Sequence, residues 1–481
     1  MCGARRLQGF MRSQDGSILP FFAMSLAVLM GILALTYDVG RMSSSQADLQ
    51  SFADSVALAA AGELDGRADS LTRAQTAAAN MIADQARFGI EDDVLSGPGD
   101  YTLTFLTERP SGTDLTPLVT TNGKTARFVH VSTASQTMEP GFSAAFSALR
   151  GQSAPTRSVG AEAAAGFSQV ACDITPLMFC MPNASFRADE NIGMAIKLRA
   201  GGSGAAWGPG DFGFLDPSDG DVDEDGVCSG LNGSRLDRCL VAAIGNRLGC
   251  FDSIGVTTRP GQAVGNAEAA LNVMFDIYNA TMNSVRNDAL YAPAPNVISG
   301  YRPSNGQCIG SNATPTTNTM GLPVDDCFAS GTCTRFGTGT WSTGRAAYVQ
   351  RNYGNNDPHP TATTRYQYYL AEIAAAGGAS SNTRILPGNR QESGRPQCSN
   401  KRSNDAARRV LVAAAIDCTA NPVQGRTEDV PVREFVEIFM LRPIGLDGTP
   451  DIWVEVIGSA GGSADGNESD ALVRDVVRLV E

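Results

Sequence analysis

Ten cysteines between residues 172 and 418 carry most of the reactive chemistry in this sequence: Cys172, Cys180, Cys228, Cys239, Cys250, Cys308, Cys327, Cys333, Cys398 and Cys418. An eleventh, Cys2, stands apart from them. A structural zinc site wants closely spaced thiolate pairs of the C-x2–4-C kind. None exists here, the tightest spacing being Cys327 to Cys333. An even set without metal spacing points to disulfides in an oxidising compartment, with the pairing left open. The other cluster is acidic. DPSDGDVDEDGVCSG sets Asp221, Asp223 and Asp225 at alternate positions before Gly226. That is the first half of an EF-hand-like calcium loop, in which three carboxylates converge on the ion and the glycine permits the turn. Asn232 stands where the loop's bidentate Glu belongs, so the run is either a weak calcium site or a solvated acidic loop.

Catalytic patterns are incomplete. TTNGKTAR holds Gly123-Lys124-Thr125, but Leu118 occupies the place of the first P-loop glycine, which leaves the phosphate cradle unformed. GTGTWSTG (337–344) follows no strand pattern and opens no helical one, so it is expected to be a loop. The two histidines, His130 in a strand-like run and His359 between prolines, have no nameable catalytic partners. No catalytic residue is assigned, and the chain is expected not to be an enzyme.

What the cysteines and acids do depends on the compartment they face, and the N-terminal stretch decides that. Ser17 to Tyr37 is free of charge for 21 residues, about 31 Å of helix and enough to cross a bilayer. A secretory signal core is shorter, roughly 7–15 apolar residues before small cleavage-site residues, and Tyr37-Asp38-Val39-Gly40-Arg41 makes a poor cleavage site. A retained anchor is therefore expected. A lipoprotein is not, because Cys2 precedes the apolar run. Arg5, Arg6 and Arg12 against the single acid Asp15 keep the N-terminus cytoplasmic and place everything after Gly40 outside. The net charge of −13 and pI near 4.8 argue against a nucleic-acid partner.

The helix continues past the membrane. Leu49, Phe52, Val56 and Ala60 recur at three- and four-residue steps and form one apolar stripe. Either the stem packs on its own domain or the stripe meets a partner helix. Beyond it, YTLTFLTER (101–109) and ARFVHVSTASQTM (126–138) alternate as strands do, and RSVGAEAAAGFSQVA (157–171) could continue as a third strand. RRVLVAAAI, VREFVEIFML, DIWVEVI and ALVRDVVRLVE are β-like runs after residue 404, the last with enough helix formers to fit a helix as well. Residues 266–285 and 364–376 have helical spacing. The expected fold is α+β: a basic tip (1–16), a transmembrane helix (17–40), a helical stalk (41–90), a β frame in two halves (98–171 and 405–481), and between them a disulfide-braced, loop-rich insert (172–404).

The order of basic tip, DGSILPFFAMSLAVLMGILALTYDVGR, a polar turn and ADLQSFADSVALAAAGEL resembles the N-terminal module of TadG-like proteins of bacterial Flp/Tad (tight-adherence) pilus assembly systems. The resemblance is closest over residues 8–64. Weaker similarity runs through CDITPLMFC, WGPGDFGFLD, YAPAPNV, TRYQYYLAEI and VREFVEIFMLRPI. It implies a pilin-like long helix and a single-pass inner-membrane protein with a periplasmic C-terminal domain. Such a protein assists assembly or anchoring of an adhesive pilus, with pilin-like or Tad assembly proteins as partners. A membrane-tethered binding or adhesion module, with calcium as candidate cofactor, is the alternative. Gly16-Ser17 supplies the glycine of a prepilin cleavage site, but Phe21 stands where related proteins favour Glu. The metal motif D-x-S-x-S of von Willebrand A-type domains is approached only by DITPL, where Leu177 cannot supply the second hydroxyl, so that domain is not expected.

Overall fold

Pro20, the one proline between Ile18 and Ala61, falls in the first turn, where a missing N–H costs nothing. In the computed structural model the whole stretch Ile18–Ala61 is one 44-residue helix, α1. The structure describes residues 18–81, 87–88, 93–94, 99–110, 112, 114–138, 142, 144, 147, 151–152, 157–172, 174–217, 227–244, 250–253, 255–261, 267–303, 313–446, 448–460 and 472–480. The chain divides into a smaller unit, residues 1–167 with 476–481, and a larger one, residues 168–475.

In the smaller unit α1 closes on Gly62, whose N–H returns to the Leu58 carbonyl at 3.1 Å, and a second helix, α2 (Ser70–Met81), follows. Arg73 braces the intervening turn by pairing with Glu63 at 2.6 Å and Asp65 at 2.7 Å. The expected strands appear as β1 (Tyr101–Leu106), β2 (Phe128–Thr133), the short pair β3 (Gln136–Met138) and β4 (Arg157–Val159), and β5 (Glu162–Cys172). β1, β2 and β5 pair antiparallel, with Leu103 opposite Val131 and Val131 opposite Ala163. Alternation sends Tyr101, Phe105, Val129, Val131, Ala163, Ala165 and Phe167 into one core. Gly123 lies in a turn against α2, where an added Cβ would meet the Arg67 carbonyl at 2.7 Å. Packing, not phosphate binding, explains the glycine of TTNGKT.

The larger unit is built around β6 (Leu177–Cys180), β7 (Ala195–Ala200), β8 (Asp211–Leu215), β11 (Val410–Ile416), β13 (Glu434–Met440) and β14 (Ile452–Ser459). They pair in the order β6–β11–β13–β14–β7–β8, and β8 pairs back onto β6, which closes a six-stranded ring. β9 (Phe251–Asp252) pairs with the end of β5, and β10 (Val256–Pro260) and β12 (Thr427–Val430) extend outward from β8. Alternate residues of all six ring strands, such as Phe179, Ile196, Phe212, Ala413, Ile438 and Val454, meet in one cluster, which is the ring's interior. Helix α4 (Ala267–Asn272) and the turn Val273–Phe275 join it. The outward residues are buried too, some against α3 (Gly233–Ala242) and others against α5 (Ser342–Tyr353) and α6 (Arg365–Ala375). Burial on both faces is why RRVLVAAAI and VREFVEIFML are nearly continuous apolar runs.

This redraws the frame and insert. β6, β7, β8 and β10 arise within 172–404, yet β6, β7 and β10 hydrogen-bond directly with strands from 405–481 and β8 pairs with all three, so those two stretches make one sheet. The sequence did not show these strands because each has only four to six residues among glycines and prolines. The helix expected over 266–285 breaks at Asp276, whose φ of 63° ends the turn Val273–Phe275 that follows Ala267–Asn272. The expected loop at 337–344 does open a helix: the Asp326 carboxylate accepts the Thr343 and Gly344 amides and starts α5 from outside the segment. α6 begins with a capping box between Thr364 and Gln367.

Eight of the ten cysteines between residues 172 and 418 form Cys172–Cys250, Cys180–Cys418, Cys228–Cys239 and Cys327–Cys333. Each bridge contributes about 2–4 kcal/mol by restricting the unfolded chain. Cys398 is half-buried, and Cys308 and Cys2 lie outside the described residues.

Candidate functional site

Helix α1 presents two different surfaces along its length. From Ile18, 73% exposed, to Val39, 50% exposed, its large apolar side chains stand clear of the protein. That is about 30 Å of exposed helix, long and apolar enough to cross a membrane. From Leu49 onward the same helix is buried. Leu49, Phe52, Val56 and Ala60 point into the smaller unit's core with Ala53, Ala57, Ala61 and Leu64, against the inner face of β1, β2 and β5. The alanines on both sides allow the helix to lie close to the sheet, and each large apolar side chain contributes roughly 1.5–3 kcal/mol. Of the two readings of the stripe, packing on its own domain is the arrangement observed.

Between these stretches polar side chains fix the helix. Gln46 Nε2 donates to the Gly160 carbonyl at 2.7 Å, and Gln50 Nε2 donates to the Glu162 carbonyl at 2.9 Å. Asp38 is buried and accepts the Phe142 amide at 3.1 Å, while the Phe142 ring meets Tyr37 edge-on at 5.3 Å. A groove of about 560 Å³ runs alongside, lined by Val39, Met42, Ser43, Gln46, Ala47 and Gln50 of α1 and by Val159. The apolar periodicity of the buried stripe gave no signal for this groove.

Residues 16–63 match the family model Tad, described as "Putative Flp pilus-assembly TadE/G-like". Over this segment the chain is similar to TadE/G-like proteins. The matched stretch ends two residues beyond α1, so the Tad segment and the helix coincide. No curated protein and no solved structure matches the chain.

Outside the Tad segment, the acidic run Asp221, Asp223 and Asp225 lies outside the described residues. Asn232, its twelfth position, immediately precedes α3. Among the described residues no cluster of His, Cys, Asp and Glu could hold a metal ion. His130 is half-buried in β2, with Nε2 3.7 Å from Glu162. His359 packs edge-on against Tyr368 at 5.1 Å, and burial lowers its pKa.

The larger unit instead hides charges from water. Arg365 is fully buried between Asp325 at 2.6 Å and Glu455 at 2.7 Å. The Arg409 guanidinium lies between the rings of Phe275, Tyr369 and Phe439 and donates to main-chain carbonyls, with Met440 O at 3.0 Å from Nε. Burial pushes its pKa down to about 10. Glu372 accepts from Tyr348 and Tyr353, both at 2.7 Å, and from Asn296 at 2.6 Å. Burial outweighs these donors and pushes its carboxyl up to about 7 from 4.5. A carboxyl that keeps its proton on folding stabilises fully below its unfolded value, and that stability is lost as pH rises through the folded value. The larger unit should therefore lose roughly 3 kcal/mol between about pH 4.5 and 7 through Glu372. Urea melts at pH 5 and pH 8 check this: the drop should shrink in Glu372→Gln, and an equal drop in both proteins rejects it.

Proposed function

We propose that the chain is a non-enzymatic, membrane-anchored component that assists assembly or anchoring of a Flp/Tad-type adhesive pilus. The observation that carries this reading is the coincidence of the Tad match with one helix, exposed and apolar at one end and docked on its own sheet at the other. In this reading α1 spans a bacterial inner membrane. Arg5, Arg6 and Arg12 hold the N-terminus in the cytoplasm, and the four disulfides sit in the periplasm. The groove on Met42, Gln46 and Ala47 would receive a helix of another pilin-like or Tad assembly protein, with the small Ala47 permitting close approach.

A second reading, a tethered binding or adhesion module, draws on the larger unit. It has its own closed sheet and core. The two readings separate in cells whose own copy is deleted and replaced by variants. Ala47→Asp is on an exposed position, so the protein should fold and reach the membrane, yet piliation should fall several-fold because a charge has no partner in a helix-packed groove. Normal piliation with Ala47→Asp, and also when residues 18–40 are exchanged for an unrelated spanning helix, would leave α1 as a tether only.

A further inference from the structure

Tyr37 is the last residue of the uncharged run, and Asp38 is the first charge after it. If α1 spans the bilayer, Tyr37 therefore stands where hydrocarbon gives way to headgroups, the depth that suits an aromatic ring with a polar tip. A residue far away in sequence has been brought to the same level. Phe142 seats its ring at 90° on Tyr37 and donates its amide to the Asp38 carboxylate. That contact helps cover Asp38, which is buried although the ring beside it is not. Phe142 is 51% exposed and Tyr37 53%, so half of each ring faces outward. An exposed Phe is unfavourable in water, and here the exposed ring adjoins the apolar surface that runs from Ile18 to Val39.

We propose that Phe142 is a second membrane contact, its ring lying with Tyr37 in the interfacial layer of the phospholipid bilayer. This rests on the reading of α1 as a spanning helix. A lone spanning helix is free to turn about its axis and to slide by a residue or two. A ring held beside Tyr37 by the fold, and itself in the interface, restricts both motions. The groove on Met42 and Ala47 then faces a set direction at a set height above the lipid, which a partner helix in the same membrane would need.

The experiment uses the full chain in phosphatidylcholine vesicles whose acyl chains carry bromine either near the glycerol end or near the methyl end. Trp207, Trp341 and Trp453 are all buried and give a background that lipid bromine should not reach. Phe142→Trp should add blue-shifted emission that is quenched by shallow bromine and much less by deep bromine. Met30→Trp, in the middle of the apolar stretch, should show the reverse order. Quenching of Met30→Trp with none for Phe142→Trp overturns the proposal and leaves the anchor standing. Absence of quenching in both overturns the spanning helix and the proposal with it. Because the Phe142 ring is half exposed, the substitution needs no repacking; unchanged thermal melting confirms that each variant reports on a folded chain.

Discussion

Arg365→Met should lower the melting temperature of the larger unit by on the order of 10 °C at neutral pH. The guanidinium is wholly buried, with one arm on Asp325 and another edge on Glu455, and it also donates to the Gly193 carbonyl at 2.8 Å. Both carboxylates have backbone donors of their own. Asp325 accepts the Thr338 and Gly339 amides at 2.7 Å, and Glu455 accepts the Tyr366 amide at 2.8 Å. Removing the cation therefore leaves two buried negative charges held in place and facing each other. Losing one partner of such a set costs about 3–5 kcal/mol, a large part of the 5–15 kcal/mol by which domains are stable. Arg365→Lys should recover little, because one ammonium cannot span two carboxylates as a planar fork does. Burial already raises the Glu455 carboxyl, and Arg365 is the charge that pulls it back. Without Arg365 it rises further, so the variant should regain stability as pH falls and the carboxyl takes up its proton. Melting by circular dichroism at pH 5 and pH 7 checks both statements. A variant that melts with the native protein at both values removes the triad from the fold's main supports.

The parts of this molecule that were legible in the sequence are those with a long regular pattern. Twenty-one uncharged residues and a three/four-residue stripe specify α1, and alternation of apolar with polar residues specifies β1 and β2. The apolar runs near the C-terminus became strands for the same reason. What was not legible depends on distant partners. β6 has four residues and is a strand because β11, more than 200 positions later, lies beside it, with Ile416 opposite Cys180. α5 starts where the Asp326 carboxylate reaches its first amides, a cap supplied from another segment, so a search for a local cap at 337–344 finds none. The buried partners of Arg365 stand 40 positions before it and 90 after it, and no spacing rule connects them. The stripe on α1 is a further case. Its period revealed that it is buried, but not against what, since a domain's own sheet and a partner helix demand the same residues.

That ambiguity is settled in solution by Val56→Asp, which should unfold the smaller unit of the full chain. Val56 lies in the middle of the helix–sheet contact, with Phe52 and Ala60 one turn to either side and Val129, Val131 and Ala163 in the same core. A carboxylate there is set among the apolar side chains of that cluster. It must stay protonated, and holding a buried carboxyl 3–5 pK units above its solution value costs roughly 4–7 kcal/mol, before the lost packing of the valine is added. A unit of this size has little more than that to lose. Its amides, including those of β1 and β2, should exchange with solvent within the time that leaves the ring strands β11 and β13 of the larger unit protected. Piliation would fall as well, but for want of a folded domain rather than a blocked partner. Ala47→Asp differs by keeping the same charge on the same helix at an exposed position, so it separates the two causes. Val56→Asp with native exchange in β1 and β2 would mean that the stripe does not face this sheet in the membrane-bound protein. In that case the stripe itself, and not the groove beside it, would be the surface on which a partner helix packs.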